Sequence, residues 1–411
     1  MADNYGLSKV SYAWENRRRW LDLPFPVEEY ERRVSALRAA MERAGLDALL
    51  VYGNPNDQGN VRWLSNFPSF FGNTIVVLSG QGEPVLATDS VMHSEPMHSE
   101  IWTTWIRDIR WAHHPATVRS AGNMTDHVRD ALAEFGCLGR RVGLVGESAV
   151  SSRTMADLTE RLRGTTLVPA TELYLQVKRI RSPREIEYLR AAARQASRGL
   201  EAIMDLARPG VSEFELAGAA AKAMFEAGAH ELSFPPAVTS GPRAGLKHSY
   251  PTGRKLEAGD FVFADVGTSC YGYLSDVCRT FIVGRPDRAG RKMQETALEM
   301  QRAFIAGVRP GARICDLQKR CEDIAVKAGY GDYYYPTGIG HGIGTSIAEI
   351  PLLFPDSEAR LEAGMTFALE PMIVIEDVGC SVYEDVILVT EDGAEELSDA
   401  RKIIAKDAGE A

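Results

Sequence analysis

The sequence predicts a two-domain chain of mixed helix and sheet, an α/β unit followed by an α+β unit built as a duplication. Three observations carry this. The chain has 411 residues, 45% of them hydrophobic, and a single core stops growing near roughly 250–300 residues. Ser182, Pro183 and Glu185 place an N-cap, a first-turn proline and a capping-box acid in one tetrapeptide, SPRE, so a long helix and a new domain start there. Finally, ARPGVSEFELAGAAAKAMFEAG at 207–228 resembles VRPGARICDLQKRCEDIAVKAG at 308–329. The RPG turn, the following helix and the closing AG keep one offset, as in two halves of a duplicated unit. Two similarly capped helices without duplication are the alternative.

Taken in order, Val27 to Gly45 has helical spacing at Tyr30, Val34, Leu37 and Met41, and Leu46 to Tyr52 reads as a buried strand after it. Apolar runs at Thr74 to Leu78, Glu83 to Ala87 and Val142 to Val145, with a helix near Met124 to Phe135, continue the alternation. The first domain is therefore expected over residues 1–175 and the second over 182–405. In the helix opening at Ser182, the positions Ile186, Leu189, Ala193, Ala196, Leu200 and Ile203 step by three and four and form one buried stripe.

The formal net charge of -10 argues against phosphate-backbone binding, and the local run Arg17, Arg18, Arg19 reads as a solvated face. Neither a secretory apolar core nor about 18 consecutive apolar residues occurs. A cytoplasmic protein with no membrane and no nucleic-acid partner is the expectation. The six cysteines form no CxxC pair, so no disulfide framework or thiolate zinc site is indicated, and they read as small buried hydrophobes and free thiols.

Chemistry concentrates in the last third. Asp265 and Asp276 lie in FVFADVGTSCYGYLSDVCRTFIVG, His341 in GIGHGIG, Glu370 in AGMTFALEPMIV and Glu384 in CSVYEDVILVT, each inside an apolar stretch. Converging buried carboxylates repel one another and are driven to protonation unless cations sit among them. For the two aspartates alone, a salt bridge to Arg279 would serve as well as a metal. The glycines around His341 leave room for another group to approach the imidazole.

The stretches FADVGTSCYGYLSDVCRTF, GIGHGIG, LEAGMTFALEPMI and YEDVILVTEDG, with KRIRSPREIEYLRAAARQA and ALRAAMERAGLDALLVY, resemble the pita-bread metallohydrolases, which include prolidase, aminopeptidase P, methionine aminopeptidase and creatinase. The resemblance implies a creatinase-like amino-terminal domain, a duplicated pita-bread catalytic domain and a homodimer. It implies two divalent ions, manganese first with cobalt, iron or zinc as alternatives. Asp265, His341 and Glu370 would be terminal ligands, and Asp276 and Glu384 would bridge. It also gives Glu370 a second role in proton transfer, and places His248 facing the substrate.

The peptide-handling groups depart from the pattern. Seven positions after His341 the peptidases carry a second histidine, where this chain has Ala348, with Glu349 and Pro351 retained. Two positions before the last glutamate the proline-specific members carry arginine, where this chain has Val382. Three readings follow: an Xaa-Pro peptidase acting on short peptides, a non-peptidase such as a creatinase-like C–N hydrolase or a dimethylsulfoniopropionate-lyase-like eliminase, and a non-catalytic binding protein. Five intact ligand positions argue against the last. Tyr333, Tyr334, Tyr335 and Tyr383 are candidate replacements for the missing groups, with strand packing as their alternative role.

Overall fold

A computed structural model describes residues 14, 18–89, 103–112, 123–246, 249–335 and 339–406. The chain divides into two compact units, Met1–Lys178 and Arg179–Ala411.

In the first unit, β1 (Ala48–Gly53), β2 (Thr74–Ser79), β3 (Val85–Thr88), β4 (Asp108–Trp111), β5 (Arg141–Val145) and β6 (Thr166–Pro169) form one sheet in the order β4-β3-β2-β1-β5-β6. Every residue of β1 and β2 is buried, which is why their sequences run apolar without alternation. The helix before β1 spans Val27–Ala44 and stops at Gly45, whose φ of 63° gives the left-handed closure that glycine permits cheaply. Leu50, Ile75, Val77, Val128, Leu132 and Leu144 belong to the core beneath the sheet.

The second unit opens as SPRE predicts. Ser182 Oγ accepts a hydrogen bond from the Glu185 amide at 3.3 Å, and the Glu185 carboxylate accepts one from the Ser182 amide at 2.9 Å. The helix runs Pro183–Leu206 and buries Leu189, Ala193, Ala196, Leu200 and Ile203, whereas Ile186 is only half-buried. It packs against the helix Glu213–Glu226, and the chain then enters β7 (Ala237–Ser240), β8 (Phe261–Val266) and β9 (Val277–Val283), all antiparallel neighbours. The second half repeats that order. Helices Arg288–Ile305 and Ile314–Ala328 pack together and precede β10 (Gly340–Gly342), β12 (Thr366–Leu369) and β13 (Asp385–Val389), with β11 (Glu349–Leu352) on the outer edge of β10. Helix, helix and three antiparallel strands thus occur twice, as the repeated RPG segments imply. The caps differ, since Ser212 forms a capping box and Arg313 makes no side-chain cap.

The two half-sheets meet around Cys278 and Glu384. The Glu384 amide donates to the Cys278 carbonyl at 3.0 Å, and a bridge pairs Arg279 with Tyr383. Acids carried by β8 and β9 are thereby set beside acids carried by the β12 and β13 half.

The expected pair of strands between Phe261 and Gly284 holds for β8 and β9. Its connecting turn is more elaborate, with Thr268–Cys270 and Tyr273–Leu274 forming a hairpin in a separate small sheet with Glu231–Leu232. Gly267 starts that detour because a Cβ there would lie 2.2 Å from the Ser275 carbonyl oxygen. Among the described residues no helix is long and apolar enough to cross a membrane.

Candidate metal centre

Asp265 is the fifth residue of β8, and its Cα partner across the ladder is Cys278 of β9. Asp276 immediately precedes β9, two positions from Cys278, so all three side chains project from the same face of the sheet. His341 is the middle residue of β10 and pairs with Ala368 of β12. Glu384 lies with Tyr383 in the two-residue gap between the strand Gly379–Val382 and β13. The apolar stretch around Glu370 reads as a buried strand, but Glu370 itself follows the end of β12 and is half-buried. His248 lies outside the described residues, as does Gly338 of GIGHGIG.

The remaining ligand candidates converge. One side-chain donor atom each of Asp276, His341 and Glu384 lie within 4.8 Å of one another, and so do those of Asp265, Cys278 and Glu384. Glu384 belongs to both groups. His341 Nε2 is 3.6 Å from Asp276 Oδ2, while its Nδ1 is 3.2 Å from the Gly342 carbonyl oxygen. A proton on Nδ1 would be held by that carbonyl, leaving the Nε2 lone pair facing the carboxylates.

The electrostatics are those of anions lacking a counter-charge. Burial, followed by the charges of Asp276 and Glu370, pushes the Asp265 carboxyl well above its usual range. Burial pushes Asp276 up to about 7. Glu384 is likewise raised, by burial first and then by Asp276, Glu370 and Asp265. Oδ1 of Asp265 and Oδ1 of Asp276 are buried without a hydrogen-bond partner among the described residues, in residues only 6% and 8% exposed. Orphaned carboxylate oxygens at that depth are costly and fit a cation between them.

Arg279 does not supply that charge. Its Nη2 binds Asp385 Oδ1 at 2.7 Å, and its Nη1 donates to the carbonyl oxygens of Cys278 and Glu384 at 2.9 and 2.6 Å. Strand alternation explains this, because Asp385 follows Glu384 and points the opposite way. Asp385 also receives Lys402 Nζ at 2.9 Å and Ser398 Oγ at 2.6 Å. Burial opposes its charge, yet Arg279 and then Lys402 hold its carboxyl below the usual range. Two adjacent acids therefore behave oppositely. The salt-bridge alternative for Asp265 and Asp276 is set aside on this geometry.

Other expectations change. The glycines flanking His341 chiefly admit backbone: a Cβ at Gly340 would sit 2.0 Å from the Ala368 carbonyl oxygen, and one at Gly342 would sit 2.4 Å from that of Ile350. Tyr383 does not face the acids, since its hydroxyl is bonded to Gln294 Oε1 and the Ile403 carbonyl, both at 2.9 Å. Tyr334 is a core residue, with Tyr333 and Tyr335 exposed beside it. Glu349 pairs with buried Arg181 at 2.5 Å and accepts from the Ser346 amide, so it fixes local structure. Ala348 is exposed and Val382 fully buried in the core. Cys278, read from the sequence as packing, places its sulfur among the acids; the signal available was its position two residues after Asp276 in a strand.

The carboxylates of Asp265, Asp276 and Glu384 with the His341 imidazole make an oxygen-rich donor set that fits a divalent transition-metal ion. Residues 187–391 match the model of metallopeptidase family M24, and residues 33–182 that of the creatinase/prolidase N-terminal domain. An Xaa-Pro dipeptidase of Pyrococcus furiosus is 30% identical over 252 residues, covering 61% of this chain and 72% of that protein. The uncharacterized peptidase YqhT of Bacillus subtilis is 28% identical across 90% of this chain and 98% of its own length. The solved structure of an Xaa-Pro dipeptidase from Bacillus anthracis superposes with a TM-score of 0.79 at 28% identity, covering 92% of this chain and 99% of the other. A pita-bread α+β unit preceded by a creatinase-type α/β domain thus accounts for nearly the whole sequence, and the chain belongs to metallopeptidase family M24.

Proposed function

We propose that this chain is a dinuclear metal-dependent hydrolase that cleaves a C–N bond in a short peptide of the Xaa-Pro class. The single observation that carries the reading is Glu384, whose carboxylate belongs to both donor groups and so suits a ligand between two ions. Asp276 would bridge with it, and Asp265, His341 and Glu370 would each serve one ion. When bound, such ions polarise the scissile carbonyl and lower the pKa of an attacking water.

The protein's own groups do the rest. Glu370, half-buried at the end of β12, is open enough to take the water's proton and pass it to the leaving nitrogen. His341 is oriented by the Gly342 carbonyl and keeps its Nε2 on the carboxylate side. His248 is assigned to the substrate or the developing oxyanion by family resemblance alone. The same resemblance supports a homodimer, the oxygen-rich donor set makes manganese the first choice, and the sequence pattern gives cytoplasmic residence and domain limits of 1–175 and 182–405.

A second reading is favoured by particular residues. With Ala348 exposed, Val382 buried and Tyr383 turned away, no replacement for the missing imidazole and guanidinium stands out among the described residues. A non-peptidase reaction on the same centre, creatinase-like hydrolysis or lyase-type elimination, therefore competes. The deciding experiment compares turnover of Xaa-Pro dipeptides with that of small amides and sulfonium compounds. Metal-dependent proline release at ordinary enzymatic rates supports the peptidase, whereas turnover confined to the other substrates overturns it.

A further inference from the structure

We propose that Cys278 is a metal donor of this centre, its sulfur binding the ion held on the Asp265 side and shifting the site's preference towards thiophilic divalent ions such as cobalt, zinc and cadmium. The inference rests on the dinuclear reading above and adds a ligand to it.

Geometry carries it. Cys278 is the direct cross-strand partner of Asp265, so the two side chains leave the sheet together. Its sulfur, one Asp265 oxygen and one Glu384 oxygen all lie within 4.8 Å of one another. Two donors bonded to one ion at about 2.0–2.3 Å are separated by at most roughly 4.5 Å. Small rotamer movements therefore suffice to place the three atoms around one cation. The strand itself is pinned, because the Cys278 carbonyl accepts from the Glu384 amide at 3.0 Å and from Arg279 Nη1 at 2.9 Å.

An independent observation points to a ligand at the same spot. Oδ1 of Asp265 is buried and without a hydrogen-bond partner among the described residues, in a residue only 6% exposed. A thiol alone would pack there as a small hydrophobe. Beside an orphaned carboxylate oxygen and a second carboxylate, it completes a three-donor set. On metal binding, the S–H bond gives up its proton to solvent and a sulfur lone pair enters the metal–sulfur bond, with no change of oxidation state. An all-oxygen and imidazole site has no bias towards soft ions, whereas a thiolate introduces one.

The test uses the full chain, stripped with chelator and titrated anaerobically with cobalt(II). Bound cobalt is measured by elemental analysis, and the near-ultraviolet absorbance is followed for a sulfur-to-cobalt charge-transfer band. The expected result is a band that grows with bound cobalt, persists in Cys380→Ser and disappears in Cys278→Ser and in Cys278→Thr while cobalt still binds. Cadmium affinity should fall by at least about tenfold in both Cys278 variants, the lower end of what losing a partner at a metal site costs, with manganese affinity little changed. Two bound cobalt ions without the band in the wild-type chain, or a band that survives in a folded Cys278 variant, overturns the assignment and leaves the dinuclear centre standing. A wild-type chain that binds no cobalt removes both.

Discussion

Replacing Asp276 with asparagine in the chelator-treated chain should reverse its effect on stability between acid and alkaline pH. The Asp276 carboxyl ordinarily titrates at 3.8 and is pushed up to about 7 in the metal-free fold by burial. A carboxyl whose folded pKa is raised contributes stability below its unfolded pKa and loses it as pH rises through the folded value. Across about three pH units, at ~1.4 kcal/mol per unit, charging Asp276 costs the metal-free fold about 4 kcal/mol by about pH 8. Asparagine avoids that cost but leaves a buried amide incompletely bonded, at about 1–3 kcal/mol. The variant should therefore be more stable than the wild type by roughly 1–3 kcal/mol at about pH 8, and less stable by a similar amount near pH 4. For a unit of this size each kcal/mol moves the midpoint by roughly 2–4 °C. Thermal unfolding in chelator, followed by circular dichroism across that pH range, reads the crossover directly. A variant less stable than wild type at every pH would refute the claim that burial of this acid, uncompensated by metal, burdens the fold.

Further outcomes follow from the same geometry. Arg279→Met leaves Asp385 with Lys402 as its remaining cation and should cost about 3–5 kcal/mol in urea denaturation, while the folded fraction keeps its metal content. Ser182→Ala removes one half of a reciprocal cap and should cost about 1 kcal/mol, again with metal retained. Ala348→His restores the imidazole of the peptidases at an exposed site; Xaa-Pro turnover should rise with no change in melting temperature, and an unchanged rate would show that this position does not limit peptide handling.

Much of this was legible in the sequence because it depends on local rules. SPRE specifies a helix start through groups within four residues of one another, and the unbroken apolar runs at Ala48 and Thr74 specify strands buried on both faces. The acids stood out because an apolar strand has no other use for them. What stayed hidden depends on which way a side chain faces once distant strands meet. Arg279 is close in sequence to Asp276 yet serves Asp385, because alternation sends it to the other face. Tyr383 adjoins Glu384 and turns away for the same reason, and Glu349 is committed to Arg181, more than 160 positions earlier in the chain. Cys278 entered the donor set only when β8 and β9 came into register.

The most direct test of the central claim is elemental analysis of the purified chain alongside hydrolysis assays before and after chelation, with Glu384→Gln as the comparison. The account predicts about two divalent ions per wild-type chain, as in other two-metal hydrolytic sites. It also predicts activity abolished by chelator and restored by metal, and loss of metal in Glu384→Gln because both donor groups share that carboxylate. A chain that binds no metal and hydrolyses its substrate undiminished in chelator would contradict it.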